Sequence, residues 1–156
     1  MEEIKTKLQV IADQEKSLVF KKFDQEDAVA IGLKLYEKAK AEGKSIAFQI
    51  SLNRKVVFHL SMDGCSPDND VWLNKKENMV YRFWQSSFQT VLFAEMLGSN
   101  VFDFYALDKD QYVGAAGGFP VTVEGVGCVG AISCGGQMPD QDHQIVVDVL
   151  KEYLGK

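Results

Sequence analysis

The chain has 156 residues, 46% of them hydrophobic, which fits one domain (1–156) burying roughly 70% of its unfolded surface. A formal net charge of −5, with lysines interleaved among acids, excludes the basic face that nucleic-acid binding needs. No apolar run approaches the ~20 residues that span a bilayer, and no basic start followed by an apolar stretch marks a secretory signal. The three cysteines, Cys65, Cys128 and Cys134, are odd in number and far apart. The expectation is a cytoplasmic protein with reduced thiols and no membrane or nucleic-acid partner.

From Glu3 to Glu15, Ile4, Leu8, Ile11 and Ala12 recur at helical spacing and predict a first amphipathic helix. Ser17 to Phe23 is a short apolar link. Asp24 is an N-cap candidate with Asp27 in the first turn, and the second helix ends before Gly43. Ser45 to Met62 alternates with period two. It predicts a hairpin with Ile46, Phe48, Ile50 and Leu52 on one strand and Val56, Phe58, Leu60 and Met62 on the next, joined at Asn53-Arg54-Lys55. His59 then sits on the less apolar face, near Gln49 or Ser51.

After GCSPDND, a long helical segment runs from about Val71 to Leu97, with Trp72, Met79, Val80, Phe83 and Trp84 as its apolar stripe. Asp68, Asn69 and Asp70 are cap candidates. Ser86 followed by Gln89 is a capping-box spacing that breaks the segment in two, and Gly98 ends it. Val101 to Leu107 alternates and reads as a short strand. Pro139 suits the first position of a last helix that docks through Ile145, Val146, Val149, Leu150 and Tyr153.

Tyr112 to Gly136 holds eight of the thirteen glycines, with β-branched residues between them. Each interior glycine costs about 1 kcal/mol in a helix, so this stretch predicts two strands joined near Glu124-Gly125. The expectation is that the glycines line a pocket. Gly125-Val-Gly127-Cys-Val-Gly130 matches G-x-G-x-x-G but continues as a strand, not the helix that dinucleotide binding requires. Ala131-Ile-Ser133-Cys-Gly135 lacks the first glycine of a nucleophile elbow. Cys128 and Cys134, six apart, share a face of an unbroken strand and suit buried small hydrophobes. The last helix is expected to point Asp142 and His143 into the mouth of that pocket, and His143, in its first turn, is favoured as a neutral imidazole. That suits an acid/base group, a ligand contact or a simple hydrogen bond. The order of elements predicts an α+β layer arrangement with an antiparallel sheet of about five strands.

GCSPDNDVWLNKKENMVYRFWQSS, then GGFPVTVEG and VGAIS, then DQDH together resemble the GlcG/HbpS-like superfamily, also called the haem-degrading domain family. The resemblance runs from about Leu18 onward. It points to a branch related to the accessory protein of glycerol and diol dehydratase gene clusters, for which no reaction is established. Asp68-Asn69-x-x-Trp72, Lys76-x-Asn78, Phe119-Pro120 and Asp142-His143 carry it. It implies a profilin-like fold with a five-stranded antiparallel sheet and helices packed on both faces, assembling as dimers or larger rings. Some relatives bind haem, so haem is the cofactor the resemblance implies. Relatives often carry a histidine before Gly-x-Phe-Pro, whereas this chain has Tyr112-Val-Gly-Ala115-Ala116-Gly117-Gly118.

Three functions follow as expectations. The first is an oligomeric small-ligand-binding domain whose pocket is framed by Asp68, Asn69, Trp72, Lys76, Gly117, Gly118, Phe119 and His143, with Lys76 meeting an anionic group. The second is haem binding or degradation, with His59, His143, a cysteine or a tyrosine as axial ligand. The third is a scaffold or partner-binding protein, with Phe102, Phe104 or Tyr105 at an interface. No catalytic residue and no metal ligand set is assigned.

Overall fold

The computed structural model describes residues 1–156. Six helices accompany one four-stranded sheet: α1 (Glu2–Ser17), α2 (Gln25–Ala41), β1 (Ala47–Leu52), β2 (Lys55–Ser61), α3 (Pro67–Phe83), α4 (Ser87–Met96), α5 (Val101–Tyr105), β3 (Gly118–Val123), β4 (Gly127–Gly135) and α6 (Pro139–Leu154). The strand order is β2-β1-β4-β3, and every neighbouring pair is antiparallel.

Local chemistry explains most of the boundaries. Asp24 accepts from the Asp27 N–H at 3.1 Å, and Asp27 returns the bond to Asp24 N–H at 2.9 Å, a complete capping box for α2. Ser86 Oγ accepts from the Gln89 N–H at 3.0 Å and starts α4, so the long helical segment does break there. Pro139 occupies the first turn of α6, where a missing N–H is free of cost. The hairpin joining β1 and β2 turns on two residues, Asn53 (φ 49°) and Arg54 (φ 73°), a type I′-like pair that matches strand twist without glycine.

The expected fifth strand is a helix. Asn100 Oδ1 accepts from both Phe102 and Asp103 N–H at 3.0 Å, and its own amide donates to Asp103 Oδ2 at 2.8 Å. These bonds cap and nucleate α5 across Val101–Tyr105. The outer edge of β3 is instead covered by the Ser17–Phe23 link. There Phe20 N–H donates to Thr122 O, and Glu124 N–H donates to Phe20 O, each at 2.8 Å. α3 also begins earlier than Val71. Pro67 is its first residue, so Asp68, Asn69 and Asp70 lie inside its first turn.

Two bulges shift faces that alternation alone assigns. One falls where Ile50 pairs Phe58 but Ser51 pairs Val56. Val57 therefore packs on the core and Val56 is left exposed. The other falls where Val121 pairs Gly130 but Thr122 pairs Cys128. Val129 takes the core side, and Cys128 moves to the face opposite Cys134.

The main core lies between the sheet and the α2/α6 layer. Phe48, Ile50, Phe119, Val121, Ile132 and Cys134 meet Ile31 and Leu35 of α2 and Val146 and Leu150 of α6. Each such side chain contributes about 1.5–3 kcal/mol by leaving water. The second face is covered by α3 and is polar. Gln49 Nε2 donates to Asn74 Oδ1 at 3.2 Å, and Ser51 Oγ lies 2.7 Å from Tyr81 Oη. A smaller apolar cluster, including Met79, Ala94, Val101 and Leu107, ties α3 to α4 and α5.

Candidate functional site

A cleft of about 320 Å³ opens where the first turns of α3 and α6 meet the end of β4. Asp68, Asn69, Trp72 and Lys76 line it from α3, Gly135, Gly136 and Gln137 from the end of β4, and Pro139 and Asp142 from α6; Val113 and Ala115 close the far wall. The α3 contribution follows from helix geometry. Residues 68, 72 and 76 stack one above another at four-residue spacing, with 69 beside them.

Lys76 anchors the floor. It is 5% exposed, and its ammonium donates to Cys134 O at 2.8 Å and to Asp142 Oδ2 at 3.3 Å. An ammonium has three N–H donors, so two acceptors leave one hydrogen free. Asp142, 1% exposed, accepts on its other oxygen from the Gln137 N–H at 3.2 Å. Burial pushes the Asp142 carboxyl up to about 6, against the downward pull of Lys76 and the Gln137 donors. Burial also holds the Cys134 thiol well above its usual range, so that sulfur is neutral. Gln137 Oε1 is buried without a hydrogen-bond partner. On the rim, Trp72 Nε1 donates to Asp68 Oδ2 at 3.1 Å, Lys75 Nζ sits 4.7 Å from the Trp72 ring centroid, and Asn69 Oδ1 is occupied by the Ser66 N–H at 2.8 Å.

Of the eight pocket residues expected from sequence, the structure brings Asp68, Asn69, Trp72 and Lys76 together at this cleft. Gly117, Gly118, Phe119 and His143 do not line it. A Cβ at Gly117 would lie 2.5 Å from Cys134 O and 2.7 Å from Lys76 Nζ, and one at Gly118 would lie 2.8 Å from Lys76 O. These glycines let the chain close tightly over α3 and leave no hollow beside it. Phe119 is in the core. His143 is 1% exposed, its ring 5.1 Å from that of Phe88 and 5.6 Å from that of Phe119. Its Nε2 lies 2.9 Å from Gln14 Oε1, which assigns the proton to Nε2 and leaves Nδ1 a buried acceptor without a partner. Burial lowers its pKa to about 4.

Gly135 and Gly136 belong to the glycine stretch expected to line a pocket, and they line this one; Gln137 is the polar lining residue that sequence reasoning passed over. Of the pair expected at the mouth of the pocket, Asp142 lines the cleft and His143 does not. Adjacent residues on a helix point about 100° apart, so the two serve different surroundings.

The other imidazole, His59, is exposed on the far flank of α3, with Nε2 3.4 Å from Asp70 Oδ1. That flank continues as a polar ladder in which Glu77 Oε1 accepts from Gln49 and Arg54 Nη1 donates to Asn78 Oδ1 at 2.6 Å. No group of three or more His, Cys, Asp or Glu side chains is placed to hold a metal ion. Larger grooves exist, including one of about 610 Å³ between α1, α4 and α5. None of its lining groups is a buried charge, and the α3/α6 cleft alone combines a buried cation with a buried, perturbed carboxyl.

The family described as haem degrading protein HbpS-like matches residues 23–151. A UPF0303 protein of Paraburkholderia xenovorans is 38% identical over 148 residues, covering 95% of this chain and 90% of that protein. Among solved structures, the Ybr137w protein superposes with a TM-score of 0.87 at 22% identity, over 99% of this chain and 94% of that one. A PduOC:heme complex superposes at 0.70 with 13% identity, over 82% and 92%. At such identities these two structures share the fold, while the family match covers most of the chain. The chain therefore belongs to the HbpS-like haem-degrading protein family.

Proposed function

We propose that this protein is a binding domain for a small organic or inorganic oxyanion, held in the cleft between α3, the end of β4 and α6. The observation that carries this reading is the buried Lys76 ammonium with one N–H unspent. A carboxylate or phosphate oxygen is the acceptor that satisfies it with a charge-assisted bond. The cleft volume, about 320 Å³, falls at the small end of ligand pockets. Trp72, Val113 and Pro139 give the apolar wall that would orient a short carbon skeleton. Thermal denaturation with a panel of small carboxylates and phosphates tests this. Stabilisation by at least one of them, lost in Lys76→Met, is the expected result; no stabilisation by any at high millimolar concentration overturns it.

The reading extends to an oligomer in the cytosol. It is supported by the unpaired edge of β2 and by exposed Val56 and Leu33 beside it, which an adjoining copy would cover. The three free cysteines fit a reducing compartment, and no helix is long and apolar enough to cross a membrane. Light scattering tests assembly; a monomer at all concentrations overturns that part.

Family membership favours haem as a second reading, and a PduOC:heme complex shares the fold. The cleft does not fit haem ligation. Its eleven lining residues include no His, Cys, Met or Tyr, the side chains that ligate haem iron. His143 is buried with Nε2 engaged. His59 is the one imidazole open to solvent, so a haem would sit on the far flank of α3. A haem titration that gives a Soret band lost in His59→Ala supports this reading, and no band in wild type removes it.

A further inference from the structure

We propose that the cleft takes up its anion together with one proton, because Asp142 and the ligand compete for the same Lys76 ammonium. This rests on the reading of the cleft as an oxyanion site and adds its charge class and its regulation.

The charge around the floor decides the matter. Asp142 Oδ2 lies 3.3 Å from Lys76 Nζ and is the one carboxylate within ion-pair distance of it; Asp68 also lines the cleft, two turns before Lys76 on α3. With Asp142 ionised, the ammonium already has its counter-ion. A second negative charge at the free N–H would be repelled by Asp142 in a partly desolvated space. Protonating Asp142 removes that conflict and leaves the ammonium to the ligand. The other groups around Asp142 do not substitute for it. From β4, the Cys134 thiol is 3.9 Å from Oδ1 and neutral; from the turn before α6, Gln137 is uncharged. On α6 itself, Asp140 is exposed and His143 is packed between Phe88 and Phe119. Asp142 is therefore the group that accepts the proton. Its carboxyl, raised to about 6 by burial, titrates where a neutral-pH protein can use it.

Binding and protonation are then linked reciprocally. Affinity reaches its limit well below pH 6, is about half of it at pH 6, and falls about tenfold per pH unit well above, since only the protonated fraction binds well. The ligand class is a small monoanion, a carboxylate by preference. A dianion would call for a second cation, and Lys76 is the only one among the lining residues.

The test uses formate and acetate as probes against the full chain at pH 6, 7 and 8, with dissociation constants read from amide shifts of Gly136 and Gln137. The expected result is roughly 50-fold weaker binding at pH 8 than at pH 6. In Asp142→Asn, which preserves shape, affinity should be the same at all three values and close to the wild-type acid limit. A second readout needs no variant: wild-type protein in weakly buffered solution at pH 7.5 should take up close to one proton per anion bound. Equal affinity at pH 6 and pH 8 with no proton uptake overturns the coupling and leaves the oxyanion site standing. Absence of binding at every pH overturns both.

Discussion

Lys76 Nζ and Asp142 Oδ2 are 3.3 Å apart with both residues almost wholly buried, and they join the middle of α3 to the first turn of α6 across the end of β4. Such a pair is weak evidence for stability, because desolvation offsets the attraction. Removing one partner is costly, because the survivor keeps its charge without a counter-ion. Lys76→Met is expected to cost about 3 kcal/mol at pH 7, at the lower end for a broken buried pair. The cost should shrink by pH 5, where Asp142 carries a proton. Urea melts at both pH values check this; an equal loss at the two would mean that Asp142 stays charged.

The glycines beside this pair differ in what they tolerate. Gly117 has φ +126°, and a Cβ there would meet Cys134 O at 2.5 Å and Lys76 Nζ at 2.7 Å. Gly43 has φ +67° and open space around it. Gly117→Ala should therefore cost about 3 kcal/mol, against about 1 kcal/mol for Gly43→Ala, which suffers backbone strain alone. Similar losses in thermal melts of the two variants would show that the closure over α3 is looser than described.

The elements set by short-range chemistry were legible in the sequence. Asp24 with Asp27, Ser86 with Gln89, and Pro139 are punctuation whose meaning depends on three or four neighbours. Val101–Tyr105 was misread because five residues alternate as well as they coil; the Asn100 cap paired with Asp103 was the signal that decides it. The two bulges were invisible, since an extra residue in a strand leaves no mark on composition. At the cleft, the α3 side was legible through the family motif that holds Asp68, Asn69, Trp72 and Lys76, not through periodicity, which starts the helix only at Val71. The glycine side was legible only in part, through Gly135 and Gly136. A missing Cβ serves a cavity and a close approach equally well, and Gly117 and Gly118 serve the second.

Glu15 offers a test of how α1 is held. Its carboxylate accepts from both the N–H and the hydroxyl of Ser86, each at 2.7 Å, at the N-terminus of α4. Burial outweighs those donors and pushes the carboxyl up to about 7. A raised carboxyl contributes stability that is full below its unfolded pKa and is lost as pH rises through the folded one. Relative to Glu15→Gln, the wild type should lose about 3 kcal/mol between pH 4.5 and pH 7 and then level off. A difference that grows in the opposite direction would show that the Ser86 donors outweigh burial.

His143 runs with the opposite sign. Its imidazole is buried between Phe88 and Phe119, with Nδ1 unpaired, and burial lowers its pKa to about 4. A lowered histidine binds its proton more weakly when folded. The stability it contributes is therefore full above the unfolded pKa near 6.5 and is lost as pH falls toward 4. Compared with His143→Leu, the wild type should lose about 3 kcal/mol across that window. At pH 7 the two should differ by only about 1 kcal/mol, the cost of leaving Gln14 without its donor. Imidazole NMR gives the direct reading: the His143 ring should hold one chemical shift from pH 8 down to pH 5. A midpoint above pH 6 would mean that water reaches the ring and that α1 opens where it covers it.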